Sequence, residues 1–203
     1  PDLSHVKDAI KILLDAKKPV IWSGMGVLMS DSSKELTELA ELLEIPVYCT
    51  MPGKSGFDQR HQLSLGSGSG ATSLQARTWL QESDVLFAVG SSLSRTSYGQ
   101  PIPTGKIMIQ NTETIADINK DYDIAVGLIG DTKLTIQMMI DEVKSQLGIN
   151  GKKGSTTVIK DIADINKTWM SEWDSVLSSN ETPISAYRVV GEMMKVLDLE
   201  NSI

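Results

Sequence analysis

Phenylalanine, histidine and cysteine are almost missing from this chain of 203 residues, which holds two, two and one of them. The single cysteine, Cys49, has no partner for an internal disulfide, so a reducing, cytoplasmic setting is the expectation. Two distant histidines, His5 and His61, make no zinc-ligand pattern with it, and no metal site is expected. Neither histidine is placed by sequence to activate Cys49, which reads more simply as a buried strand residue. Positive charge is also in deficit: 19 Lys and Arg face 26 Asp and Glu, for a net charge of −7. That balance argues against nucleic acid as a partner. No apolar run approaches the roughly 20 residues needed to span a bilayer, so no membrane role is expected. No secretory signal is expected, since Pro1 opens directly onto an amphipathic helix. No Gly-Lys-Ser/Thr sequence opens a helix, which excludes a P-loop.

What is present is a 40% hydrophobic, 22% charged chain, the composition of a globular protein. A chain of this length buries roughly 70% of its unfolded surface. The stretch Lys18-Pro-Val-Ile-Trp-Ser-Gly-Met-Gly26 sets the theme: a helix end, a short apolar strand, then a turn with two glycines. Val6, Ile10, Leu13 and Leu14 share one face of the preceding helix, which Asp2 or Ser4 caps. A second helix carries Leu36, Leu39, Ala40 and Leu43 and leads into a strand over Ile45–Thr50. Residues 51–70 dissolve into Gly, Ser, Pro and polar residues, a long irregular stretch of the kind that carries function. Helical spacing returns over 71–82, and Val85-Leu-Phe-Ala-Val-Gly90 is apolar throughout, as a central strand covered on both faces should be. Further strands are expected over 106–110 and 124–129, with a short helix or turn at 115–122 and a long helix after Gly130-Asp131. The order implies a Rossmann-like α/β fold, a doubly wound parallel sheet of five or six strands in three αβα layers.

Beyond this domain (1–147) comes a C-terminal helical extension. Residues 148–157 read as a linker by composition, within a segment 148–182 that carries one amphipathic helix. Residues 183–203 read as a last helix, with Asp198 to Ile203 placed as though a strand were about to begin.

The candidate ligand residues cluster at strand ends. Gly24 and Gly26 form half of a dinucleotide fingerprint whose third glycine is replaced by Met29; the pair suits either a phosphate or a plain strand–helix turn. Arg95, flanked by the hydroxyls of Ser91-Ser-Leu-Ser and Thr96 after the central strand, suits a phosphate or is a surface arginine. Asp131 either holds a ribose hydroxyl or caps its helix. His61, beside Arg60 and Asp58, reads as ordinary surface. Trp169 and Trp173, four residues apart, read as a docking stripe against a neighbouring domain.

Together these pieces resemble the central domain of thiamine-diphosphate enzymes of the acetolactate synthase and pyruvate oxidase-like group. The landmarks are Lys18-Pro-Val-Ile with its Gly-x-Gly turn, Glu44-Ile-Pro-Val-Tyr leading to Gly53-Lys-Ser-Gly56, Gly66, and Ser83-Asp-Val-Leu-Phe-Ala-Val-Gly90. Ser94-Arg-Thr, Gly99, Gly105-Lys-Ile, Asp117-Ile-Asn-Lys-Asp-Tyr122 and Ile129-Gly-Asp131 complete the set. The resemblance implies a parent carboligase or decarboxylase, a transferase that uses thiamine diphosphate and magnesium held by the flanking domains and assembles as a homodimer or homotetramer. It implies that this chain is a middle piece cut at both ends, with no catalytic residue of its own and no activity alone. Family members that bind FAD or ADP do so at strand ends matching Gly24 to Gly26, Thr50-Met51, Gly90, Ser91, Arg95, Thr96 and Asp131. In this sequence the acidic pair of the FAD pattern falls on Thr112 and Thr114, and Gly90-Ser-Ser-Leu-Ser-Arg-Thr96 loses two carboxylates and one arginine. These departures argue against FAD and leave an ADP-type site or an empty one. The other reading of the chain is a free-standing ADP/FAD-binding module.

Overall fold

The computed structural model describes residues 1–198. Six strands form one all-parallel sheet in the order β3-β2-β1-β4-β5-β6, built from β1 (Pro19–Ser23), β2 (Val47–Thr50), β3 (Ser64–Gly68), β4 (Val85–Val89), β5 (Ile107–Thr112) and β6 (Val126–Ile129). The chain winds outward one way through β2 and β3, returns, and winds outward the other way from β4. The order therefore reverses between β1 and β4, the place where open parallel sheets leave a crevice.

Side-chain alternation divides the sheet's two faces. Ile21, Val47, Phe87, Ile109 and Leu128 point to one face, covered by α1 (Leu3–Asp15), α3 (Ser33–Leu43) and α5 (Thr132–Leu147). Val20, Trp22, Tyr48, Leu86, Ala88 and Met108 point to the other, where Ala76, Trp79 and Leu80 of α4 (Leu74–Glu82) pack. Every residue of β4 is buried, as its unbroken apolar run requires. Asp2 caps α1, its carboxylate accepting the Ser4 N–H at 2.7 Å.

The two edges of the sheet are built differently. At the edge where the strands begin, the Asp84 carboxylate accepts the backbone N–H groups of Lys17 (2.8 Å) and Lys18 (2.9 Å), joining the end of α1 to the start of β4. Burial alone would raise the Asp84 carboxyl, but these amides outweigh it and hold it below the usual range. Lys18 pairs with Glu82 and lies 4.3 Å from the centroid of Trp79, whose indole N–H donates to the Pro19 carbonyl at 3.0 Å. This corner is a structural clamp. At the opposite edge the strands end in glycine-rich loops, and those loops form the candidate site.

Residues 51–70 are not irregular throughout, since β3 lies within them. Leu65 within it and Leu63 just before it are buried apolar anchors, and its pairing with β2 shifts register between Val47 and Cys49. A short, bulged, Ser/Gly-rich edge strand gives almost no periodic signal. A one-turn helix, α2 (Gly26–Met29), also escapes sequence reading, and residues 115–122 hold only a 3-10 turn, Ile115–Asp117. His61 is not plain surface. Its Nδ1 accepts the Leu63 N–H at 3.1 Å, its Nε2 lies 3.2 Å from Glu41, and its ring packs edge-on against Phe57.

The segment 148–157, whose composition reads as a linker, is strapped to the end of α3. Glu44 is 4% exposed and adopts a left-handed backbone (φ 49°) where glycine is usual. Its carboxylate accepts the N–H groups of Gly154 (2.5 Å) and Thr156 (2.8 Å), while Lys152 N–H donates to the Leu42 carbonyl at 2.7 Å. Gly151 passes so close that a Cβ there would lie 2.2 Å from that carbonyl oxygen. Burial would raise the Glu44 carboxyl, but the hydrogen bonds from Thr156, Gly154 and Ser155 hold it below the usual range.

A carboxyl depressed in the folded state stabilises above its unfolded value and loses that contribution as pH falls through its folded value. Glu44→Gln is therefore expected to weaken strap attachment by about 2 kcal/mol near neutrality and progressively less below about pH 4. Faster tryptic cleavage at Lys152 or Lys153 at neutral pH is the readout. Equal cleavage of the two proteins would refute the role given to Glu44.

The chain divides into a unit Pro1–Ile162 and a second unit beginning at Ala163, with the break inside α6 (Val158–Leu177). In the second unit Trp169 and Trp173 meet edge-on at 6.4 Å, and Trp173 packs 5.1 Å from Tyr187 of α7 (Ala186–Val196). The Arg188 guanidinium donates to the carbonyls of Ser178 and Ser179 and to Asn180 Oδ1, closing the turn between the two helices. The strand expected after Asp198 lies outside the described residues.

Candidate functional site

A cleft of about 940 Å³ opens over the ends of β1, β2 and β4, at the switch point. Seven residues singled out from sequence line it: Gly24, Gly26, Thr50, Gly90, Ser91, Arg95 and Thr96. The eighth, Asp131, does not line it. Asp131 lies at the end of β6 and caps α5, its Oδ1 accepting the Leu134 N–H at 2.9 Å.

The glycines serve the fold's own packing. A Cβ on Gly24 would lie 2.3 Å from the Gly90 carbonyl oxygen, and one on Gly26 would lie 2.7 Å from the Gly90 Cα. Gly90 has φ +57°, and a Cβ there would meet the Val27 nitrogen at 2.7 Å. The two loops interlock backbone on backbone, a close approach that only glycine permits. The Gly24 N–H donates to the Val89 carbonyl and the Gly26 N–H to the Gly90 carbonyl, each at 2.9 Å. Both glycine amides that a dinucleotide fingerprint would offer to a diphosphate are thus engaged within the protein. No carboxylate lines the cleft to take a ribose diol. The residues present do not fit FAD or ADP in the fingerprint manner.

Thr50 is engaged in the same way. Its hydroxyl donates to the Ser23 carbonyl and accepts the Gly53 N–H, both at 3.2 Å, tying the β2 loop to β1. Ser91 accepts Gln110 Nε2 on its carbonyl at 3.0 Å. Behind it Asn111, fully buried, organises the loop ends. Its Oδ1 accepts the Gly90 N–H at 3.1 Å, and its Nδ2 faces the carbonyls of Leu128 (2.9 Å) and Gly130 (3.1 Å) and the Thr135 hydroxyl (3.2 Å). Asn111 thereby fixes the ends of β4 and β6 and the start of α5. Sequence reasoning passed over it, because an asparagine near a strand end carries no periodic signal.

Arg95 is the exception among these residues. Its backbone N–H donates to Asp121 Oδ2 at 2.9 Å, and its guanidinium lies 4.7 Å from the centroid of the Tyr122 ring. That stacking pair is far apart in sequence, and no local pattern announces it. Cys49 is 1% exposed, and burial pushes its thiol up, which makes it inert as a nucleophile. Among the described residues no group of three or more His, Cys, Asp or Glu is arranged to hold a metal ion, and no helix is long and apolar enough to cross a membrane.

Strand order, helices on both faces and a crevice at the reversal define a doubly wound α/β domain of the dinucleotide-binding architecture, with its glycine amides turned inward. The profile of the thiamine pyrophosphate enzyme central domain matches residues 6–139, and the chain belongs to that family. It is 32% identical over 201 residues to a probable acetolactate synthase large subunit of Methanococcus aeolicus, an alignment covering 96% of this chain and 33% of that protein. Against the probable acetolactate synthase large subunit of Methanocaldococcus jannaschii it is 30% identical over 197 residues, covering 96% of this chain and 32% of the relative. The acetolactate synthase large subunit of Corynebacterium glutamicum is 30% identical over 148 residues, 71% of this chain and 24% of that protein. The chain spans about a third of the length of the first two relatives and less of the third.

Proposed function

We propose that this chain is the central, non-catalytic portion of an acetolactate synthase-like thiamine-diphosphate enzyme, a scaffold between two neighbouring domains that hold the cofactor. The observation that carries this reading is the coverage: nearly the whole chain aligns, yet it accounts for only about a third of the relatives. Thiamine diphosphate, with magnesium, supplies carbanion chemistry next to a carbonyl in the parent. Nothing in the cleft supplies a general base or a metal ligand set for that step. The 1–147 domain is the scaffold proper, 148–182 the connection, and 183–203 the opening of the next domain. The parent is a cytoplasmic homodimer or homotetramer.

The purified chain, given thiamine diphosphate, magnesium and pyruvate, is expected to form no acetolactate and release no carbon dioxide above background. Turnover proportional to protein concentration would sink the reading. The second reading, a free-standing ADP- or FAD-binding module, draws on the size of the cleft and on Arg95 at its margin. Calorimetry against ADP, FAD and NAD(H) separates the two. The scaffold reading, with its nucleotide site vestigial, expects no micromolar binding of any of the three.

A further inference from the structure

We propose that the cleft over the β1/β4 switch point binds a small, largely apolar molecule bearing a single anionic group, and that Arg95 receives that group. Arg95 is the only charged side chain lining the cleft. Its guanidinium rests on the Tyr122 ring, and among the described residues it makes no ion pair and no side-chain hydrogen bond. Asp121, the carboxylate beside it in the structure, accepts the Arg95 backbone N–H instead. A guanidinium oriented by a ring, with its N–H fork uncommitted, is prepared for a planar oxyanion.

The rest of the cleft asks for an uncharged body. Trp22, Pro52, Leu93 and Ile102 form apolar wall, and the half-exposed Met25 and Met51 stand at the β1 and β2 ends. A volume of about 940 Å³ lies within the range that holds drug-sized molecules. One cation, no lining carboxylate and two engaged glycine amides select a molecule with one anionic group over a dinucleotide. The inference rests on the reading that the nucleotide site is vestigial, and the test separates the two.

The 203-residue chain is titrated with sodium 2-naphthoate, with uncharged 2-naphthol, and with ADP and FAD, by calorimetry and by backbone amide NMR shifts. The expected result is saturable one-to-one binding of 2-naphthoate with shifts concentrated in residues 91–102. Arg95→Gln should weaken it about tenfold or more, the scale of a lost charge-assisted hydrogen bond. Arg95→Lys should recover only part, because a point charge replaces the fork, and Tyr122→Leu should weaken binding severalfold by releasing the guanidinium. 2-Naphthol should bind more weakly, and equally to the parent chain and to Arg95→Gln. Arg95 is exposed, so thermal melts should coincide for its variants and the parent chain. Absence of saturable 2-naphthoate binding, insensitivity to Arg95→Gln, or shifts confined to α7 would each overturn the proposal. If ADP and FAD also fail to bind in that case, the scaffold reading stands and this inference alone falls. Tight ADP or FAD binding overturns both.

Discussion

Alanine at Gly24 is expected to lower the urea midpoint of the chain sharply, whereas alanine at Gly70 leaves it unchanged. The added methyl at Gly24 would sit 2.3 Å from the Gly90 carbonyl oxygen and 2.7 Å from the Ser91 Cβ. Neither neighbour can yield cheaply. The Gly90 peptide is held by Asn111 from one side and by the Gly26 N–H from the other. The Gly24 and Gly90 loops follow β1 and β4, which pair along their whole lengths. Relief requires moving a strand end, and the loss should reach about 4 kcal/mol, the scale of severe backbone and packing conflicts. At Gly70 nothing lies within 4 Å of the added carbon. Urea denaturation of the two variants beside the parent chain makes the comparison. Equal midpoints would show that the interlocking loops tolerate what their geometry forbids.

The second large effect is expected at Asn111. Asn111→Asp keeps the volume and the acceptor for the Gly90 N–H, but it places an oxygen where Nδ2 now faces three acceptors within 3.2 Å. An anion buried against two carbonyls and a hydroxyl oxygen, with no cation paired to it, should cost about 4 kcal/mol near neutrality. The penalty should shrink in acid as the carboxyl takes up a proton and regains a donor. Asn111→Leu, which strands the Gly90 N–H without adding charge, should cost about 2 kcal/mol with little pH dependence. Parallel pH dependences for the two variants would remove Asn111 from the centre of the loop network.

Much of this architecture is legible from residues alone because a parallel sheet writes its central strands as continuous apolar runs. Val85–Val89 and Val20–Trp22 are strands on any reading, and the helices carrying Leu36, Leu39 and Leu43 and Ile136, Met139 and Val143 display their buried faces at helical spacing. β3 is not legible in the same way, since an edge strand needs only one partner and two anchoring leucines. The candidate site divides along a similar line. That Gly24, Gly90 and Arg95 meet follows from strands ending side by side at the switch point. Their roles depend on contacts between segments remote in sequence. Gly24 faces Gly90, Asn111 reaches Gly130 and Arg95 stacks on Tyr122, and local spacing encodes none of these encounters. The Glu44 strap escapes for the same reason: its glycines and lysines describe a flexible tether until the carboxylate that holds them is seen.

The interlocked glycines also bear on how the molecule opens. The Gly24 and Gly26 amides donate to carbonyls at the end of β4, so neither is released while β1 and β4 stay aligned. Local fraying at the sheet edges leaves them untouched. Their hydrogen–deuterium exchange should therefore proceed only through whole-domain unfolding, at the slow limit, while amides of β3 exchange sooner. The cleft is then not a feature that breathes into being: it exists when the sheet is complete and vanishes with it.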